Sequence, residues 1–381
     1  MIDRFLEVYR GDLWTWGLLF LSMILFSGCG MDRPMRRMKH PVPAPEITAK
    51  DYRIFDREGN PAAFEDIIKA AAEFDAVFIG EAHGDPAAHH LEKKILTTLY
   101  ARYGSAPEKG GTENRPKRPP KRPPRRPIVL SLEMFERDVQ VILDEYLQDL
   151  ITERHFLAGS RPWPRYRRDY RPLVEFAKEK EIPVIAANAP RRYVNRVSRL
   201  GPESLTALSK PAQSWLPPLP YPPASPEYRR KFLDFWGETM GIDPENMARA
   251  ATESDTQSKA SKKSAEPRET KPSHPSMADT PPKFENLLNA QSLWDAAQGH
   301  AVAEALNEHP GALAVNINGK FHSAENLGAP EKLRYYRPGT DILTVTIIPA
   351  ESYPEFDDRY LGYGDFIILT DPDFTRAKNK T

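Results

Sequence analysis

Two short segments carry residue types able to bind a metal or move a proton, and they share one frame. Gly80-Glu81-Ala82-His83 follows Val77-Phe78-Ile79, and Gly319-Lys320-Phe321-His322 follows Ala314-Val315-Asn316-Ile317 and Asn318. Each is an apolar run, then a glycine, two residues and a histidine. Parallel strands of one sheet would deliver both histidines at the carboxyl edge, where the ligand sites of open α/β sheets lie. Glu133 emerges from a third apolar run, Ile128 to Leu132, and completes a set with Glu81, His83 and His322. Two imidazoles with a carboxylate are common ligands of zinc or iron, so these four are the candidate metal site. A second carboxylate can orient a histidine or act as a general base, which makes Glu81 and Glu133 the catalytic candidates if the chemistry is hydrolysis. Singly, a His or Glu after a strand is usually a surface loop residue. Four of them converging at one sheet edge point instead to a site.

A second group lies nearby in sequence. His89 and His90 fall on the first turns of a predicted helix, away from its Leu91/Ile95/Leu99 stripe, where they either line the same cavity or face solvent. Trp163-Pro164-Arg165-Tyr166-Arg167-Arg168-Asp169-Tyr170-Arg171-Pro172 interleaves aromatics with arginines. A tyrosine phenolate can ligate ferric haem and an arginine can pair with its propionates. A plain helix start with Tyr166 and Tyr170 stacked at i, i+4 accounts for the same pattern. Arg191, in Asn188-Ala189-Pro190-Arg191-Arg192-Tyr193, adds cationic charge beyond a predicted strand, as an anion-binding rim or a solvated turn. No GxSxG, phosphate-binding loop, dinucleotide glycine fingerprint or HExxH is present.

The elements that must position these residues alternate. Strands are predicted at Ala76–Ile79, Ile128–Leu132, Ile182–Ala187, Ala312–Ile317, Ile342–Ile348 and Phe366–Leu369. Helices are predicted from Asp85-Pro86, around Val139–Leu147, at Tyr166–Lys180, and around Glu227–Thr239 and Phe284–Asn307. That alternation indicates an α/β fold with a mostly parallel sheet flanked by helices. The strand-free stretch 201–300 reads as a small inserted helical cap subdomain, with a disordered insert at 248–282. The core would then be 51–200 and 301–381.

The 381 residues fit one large domain or two ordinary ones, and the formal charge is zero, with 53 basic and 53 acidic residues. The 38 prolines cluster in linkers rather than stiffening the fold. Residues 104–127 form a basic, proline-rich segment, read as a solvated surface loop, with anionic lipid as the alternative partner and no nucleic acid. The single cysteine, Cys29, excludes an internal disulfide. It follows an apolar run from Leu13 to Phe26, too short to span a bilayer comfortably, and then Ser27-Gly28. This pattern reads as a lipoprotein signal peptide, 1–29, with Cys29 lipidated and 30–50 as a tether. Gly30 rather than aspartate after the cysteine favours outer-membrane sorting. An uncleaved anchor helix is the alternative, since Asp3, Glu7 and Asp12 offset Arg4 and Arg10.

Several motifs in order resemble one family. Gly80-Glu81-Ala82-His83 with His89-His90, Leu132-Glu133-Met134-Phe135-Glu136-Arg137, Asp169-Tyr170-Arg171-Pro172-Leu173-Val174 and Ala187-Asn188-Ala189-Pro190-Arg191 are similar to the ChaN-like haem-binding lipoproteins. These belong to the wider Tiki/TraB/erythromycin-esterase-like superfamily. The resemblance implies haem binding linked to iron acquisition, a tyrosine ligand (Tyr170 first, Tyr166 second) and a homodimer around paired haems. His83, His89, His90 and Arg191 join the two tyrosines as haem-site candidates. The wider superfamily implies instead a divalent metal ion and hydrolysis at His83, His322, Glu81 and Glu133. Gln291-Ser292-Leu293-Trp294-Asp295 also looks familial, whereas Ala296-Ala297-Gln298-Gly299-His300 departs from the pattern. Haem binding at the outer membrane is thus the favoured expectation, a metal-dependent hydrolase the second, and a non-catalytic envelope scaffold the third.

Overall fold

A computed structural model of the chain describes residues 46–105, 125–240 and 284–373. Eight strands run β1 (Tyr52–Asp56), β2 (Ala76–Glu81), β3 (Gly104–Ser105), β4 (Arg126–Glu136), β5 (Val184–Asn188), β6 (Leu313–Gly319), β7 (Ile342–Pro349) and β8 (Phe366–Thr370). The helices are α1 (Phe64–Ala71), α2 (Pro86–Tyr103), α3 (Gln140–Leu147), α4 (Glu153–Ser160), α5 (Tyr166–Asp169), α6 (Arg171–Glu179), α7 (Arg191–Leu200), α8 (Lys210–Gln213), α9 (Pro226–Met240), α10 (Phe284–Glu308) and α11 (Ala329–Tyr336). Cys29, the tether up to residue 45, most of the basic segment and the insert at 248–282 lie outside the described residues.

The strands form one sheet in the order β1-β8-β7-β2-β6-β4-β3, with β5 also on β4. Every pairing is parallel except β1 with β8. The predicted α/β class with a mostly parallel sheet is therefore observed. Successive residues of β2 feed opposite faces. Val77 and Ile79 join the larger core with Leu91, Leu130 and Ile317, while Ala76 and Phe78 join a second core with Val302, Leu306 and Leu333. A strand buried on both faces must be apolar throughout, which is why these runs do not alternate.

Local chemistry sets the elements that carry the site. α2 starts where the sequence predicts: the Asp85 carboxylate accepts a hydrogen bond from the Ala87 amide at 2.9 Å, and Pro86 opens the helix. Leu91, Ile95 and Leu99 are fully buried along one side. The single helix predicted for Tyr166–Lys180 is instead two, α5 and α6, meeting at Tyr170. Pro172 has no amide hydrogen to continue the ladder and its ring opposes the carbonyl four residues back, so the helix restarts there. β1 is a strand the sequence reading left unassigned. β4 is longer than predicted, and its register against β5 shifts between Leu132 and Glu136, the stretch that holds Glu133. Such irregularities re-aim side chains next to functional sites.

The segment 104–127 is corrected at both ends. Gly104 and Ser105 pair with Arg126 and Pro127 as parallel strand. Arg126 is half-buried rather than a free surface cation. Its guanidinium donates to the carbonyls of Phe74 (2.8 Å), Gly311 (2.9 Å) and Ala312 (2.6 Å), tying together the segments that lead into β2 and β6. On β5, the Gln140 side chain donates to the Val184 carbonyl (2.8 Å) and accepts from the Ala186 amide (2.7 Å), standing in for a neighbouring strand.

The chain divides into two compact units. Among the described residues the larger holds 46–194, 206–222 and 292–373, including the whole sheet. The smaller holds 195–205, 223–240 and 284–291. Within it Phe232 meets Trp236 and Phe284 ring to ring, and Arg229 pairs with Glu285. Among the described residues no helix is long and apolar enough to cross a membrane.

Candidate functional site

β2 and β6 are adjacent and parallel, so the two GxxH frames emerge side by side at the carboxyl edge of the sheet. The register sets Glu81 opposite Gly319 and Gly80 opposite Asn318, which staggers the frames by one residue. Each glycine is required by close approach. A Cβ on Gly319 would lie 2.8 Å from the His83 ring, and one on Gly80 would lie 2.7 Å from Ser323 Oγ and 2.9 Å from the Lys320 backbone. The first histidine thus packs on the second frame's glycine.

Glu81 is the hub of the first half of the site. It is buried, and its Oε1 accepts from the Tyr170 hydroxyl at 2.6 Å and lies 2.8 Å from His83 Nδ1. His89 Nδ1 lies 2.9 Å from Glu81 Oε2 and 3.2 Å from Glu92 Oε2, and it hydrogen-bonds to the latter. The second half is built on His322. Its Nδ1 lies 2.7 Å from Asp295 Oδ1 on α10, and its Nε2 lies 3.4 Å from Glu133 Oε1. Glu133 Oε2 accepts the Gly319 amide at 2.7 Å, so one carboxylate holds both the strand end and the histidine.

These contacts set the charges. Burial opposes ionisation of Glu81, but His89 and His83 hold it well below the usual carboxylate range. Burial and the charge of Glu81 push Glu92 well above that range, so the proton of this carboxyl pair sits on Glu92. Burial opposes the charge on His89, yet Glu81 and Glu92 raise it well above an ordinary imidazole. Burial likewise opposes His322, and Glu133 and Asp295 overcome it to about 10. Burial pushes the Tyr170 phenol up, with Glu81 and Glu92 adding to it, so the hydroxyl stays neutral and donates. Partial desolvation works against charge on His83, but the hydrogen bond to Glu81 and the charges of Glu81 and Glu133 raise it overall.

The structure brings Glu81, His83, Glu133, His322, Tyr170 and His89 together. Of the two directions expected for it, His89 takes the one that lines the site: it is 7% exposed, beneath Tyr170, with ring centroids 5.0 Å apart. His90 faces solvent. Tyr166 sits apart, with its ring among Phe135 and Phe156 and its buried hydroxyl without a hydrogen-bond partner. Arg191 opens α7 past the end of β5 and joins none of these contacts. The set also contains Glu92, Asp295 and Asp169, which the sequence reading assigned no role. Glu92 lies three residues after His89 on one helix face, a spacing that could have marked it. Asp295 lay within the familial Gln291–Asp295 stretch, and Asp169 in the aromatic and arginine segment.

A family model described as haem-binding uptake, Tiki superfamily, ChaN, matches residues 67–333, a span that contains every residue of this constellation. The chain belongs to the ChaN family. Among solved structures, ChaN of Campylobacter jejuni with cofacially bound haem is similar at 15% identity and a TM-score of 0.54, covering 86% of this chain and 100% of that one. This likeness shows the shared fold. A succinoglycan biosynthesis protein is similar at 14% identity (81% and 91% coverage, TM-score 0.39), and a mutant of the erythromycin esterase EreC in its open conformation at 11% (84% and 82%, TM-score 0.37). No curated protein matches the chain.

Proposed function

We propose that this ChaN-family chain binds haem in the service of haem or iron uptake, and that His83 is the residue presented to the iron. Membership of the haem-binding uptake family carries the first part. Exposure carries the second. Tyr170 and Tyr166 are 2% and 3% exposed, and burial keeps both phenols protonated, Tyr170 while donating to Glu81. A phenolate ligand needs the opposite on both counts. The His83 side chain keeps 40% of its surface in solvent. Glu81 holds its Nδ1, the arrangement that orients a metal-binding imidazole and leaves Nε2 as ligand atom. The Trp163 ring stands edge-on to His83 at 4.9 Å, and the Arg165 guanidinium lies against Gly84. An aromatic surface and a cation beside a histidine suit a porphyrin and its propionates. Bound haem would supply a redox-active iron, and His83 is the residue that would hold it.

The envelope setting belongs to the same proposal and rests on the sequence before residue 30, with lipidation at Cys29 as the outer-membrane anchor. So does a homodimer that forms on haem loading.

The test is a hemin titration of the full-length chain in detergent, read by absorbance. A saturable Soret shift is expected, weakened about tenfold or more in His83→Ala. A shift untouched by His83→Ala but lost in Tyr170→Phe would assign the iron to the tyrosine. No saturable shift in the parent would remove the haem reading. Convergence of Glu133, His322 and His83 on staggered frames favours metal-assisted hydrolysis as the second reading, and ester hydrolysis lost in both His83→Ala and His322→Ala would support it.

A further inference from the structure

Behind His83 lies a group of side chains of which the proposed haem site uses only Glu81, to orient that imidazole. We propose that Glu81, His89 and Glu92 form a buried site for a divalent first-row transition ion. Their ligand atoms all lie within 4.8 Å of one another, and no other set of three His, Cys, Asp or Glu does so among the described residues. All three are at least nine-tenths buried: 1%, 7% and 0% exposed. Glu92 Oε1 and His89 Nε2 have no hydrogen-bond partner in a place where an unmet polar atom is costly.

The spacing suits an ion. Bonds of ~2.0–2.2 Å to a tetrahedral or octahedral ion hold neighbouring ligand atoms ~3.0–3.4 Å apart. His89 Nδ1 stands 2.9 Å from Glu81 Oε2 and 3.2 Å from Glu92 Oε2. An ion seated among these residues would replace the hydrogen bond between His89 and Glu92 and release the proton that makes it. Asp169 Oδ2 lies 3.6 Å from the other nitrogen of His89, placed as the outer carboxylates that orient metal-bound histidines are. The donors choose the ion class. One imidazole and two carboxylates suit zinc, iron or manganese, and the absence of thiolate disfavours copper(I). Glu81 belongs to both this site and the hydrogen bond that orients His83, so the ion would sit directly behind the haem-facing imidazole.

The experiment uses the haem-free, full-length chain in detergent, with zinc and manganese chlorides as probes. Calorimetry is expected to show about one ion per chain, weakened roughly 100-fold in Glu92→Gln, a first-ligand loss at the upper end of the range for outer partners. The amide has the shape of the neutral carboxyl found there, so the variant keeps the fold, and circular dichroism checks this. Anomalous scattering from parent crystals soaked in zinc gives a second, independent readout. Density between Glu81, His89 and Glu92 supports the proposal. Density instead between His83, His322 and Glu133 overturns it, as do binding unchanged in Glu92→Gln and no ion bound by the parent. None of these outcomes depends on haem, so failure here leaves the hemin titration to be judged alone.

Discussion

At the scale of single residues, the site is a set of charges decided by who touches whom. His322 illustrates this. Its pKa rises from 6.5 to about 10 because Glu133 and Asp295 outweigh its burial. The folded state therefore holds this proton more tightly than the unfolded chain. The stabilisation is complete below about pH 6.5 and disappears as pH climbs through about 10. Denaturant midpoints measured across that window should fall with pH in the parent and stay flatter in His322→Gln; equal slopes would show that the histidine is not held this way. Gly319 makes a steric prediction. Alanine there would bring a Cβ to 2.8 Å from the His83 ring. Gly319→Ala should lose about 1–3 kcal/mol of stability through overpacking and displace His83, with hemin affinity falling alongside. The two histidines and Glu81 and Glu133 were legible because each follows an apolar run that ends abruptly. Glu92 and Asp295 were not, because each sits inside a helix whose buried side depends on what is packed over it.

At the scale of elements, the strands were legible and their partners were not. β2 and β6 declare themselves by hydrophobicity, yet only the sheet order shows them adjacent and staggered by one residue. β1 escaped notice because it is short and partly exposed, and its partner β8 lies near the other end of the described chain, with Tyr52 opposite Thr370. The break at Tyr170 was written in Pro172, and its consequence is functional: it turns the tyrosine hydroxyl onto Glu81. β5 depends on a side chain in place of a strand. Gln140→Ala would leave the Val184 carbonyl and the Ala186 amide without those bonds. A loss of about 1–2 kcal/mol is expected from two hydrogen bonds. Faster aggregation on heating should accompany it, since an unguarded edge invites pairing. Thermal melts with light scattering would measure both, and an unchanged melt would show that solvent replaces the glutamine at no cost.

At the scale of the whole sheet, its two ends do different work. The carboxyl end carries the ionisable constellation. The amino end is tied by Arg126, which reads in sequence as one more cation of a basic, proline-rich run. Arg126→Met keeps the length and removes the donors to Phe74, Gly311 and Ala312. It should cost about 2–3 kcal/mol in chemical denaturation, since charge-assisted bonds are the stronger kind, and leave hemin affinity unchanged while the protein is folded. A loss of hemin affinity without loss of stability would contradict this division between the two ends.

By itself the sequence determined six of the eight strands, β2 and β4 to β8, that most run parallel, and that histidines and carboxylates leave them at one edge. Those properties follow from local hydrophobic pattern and from the geometry every parallel sheet shares. Only the tertiary structure decided that His89 and Glu92 turn inward onto Glu81, that both candidate tyrosines are buried while His83 stays at the surface, and that Arg126 is structural. Burial, charge coupling and hydrogen bonding are properties of neighbours in space, and neighbours such as Glu133 and His322 lie far apart along the chain.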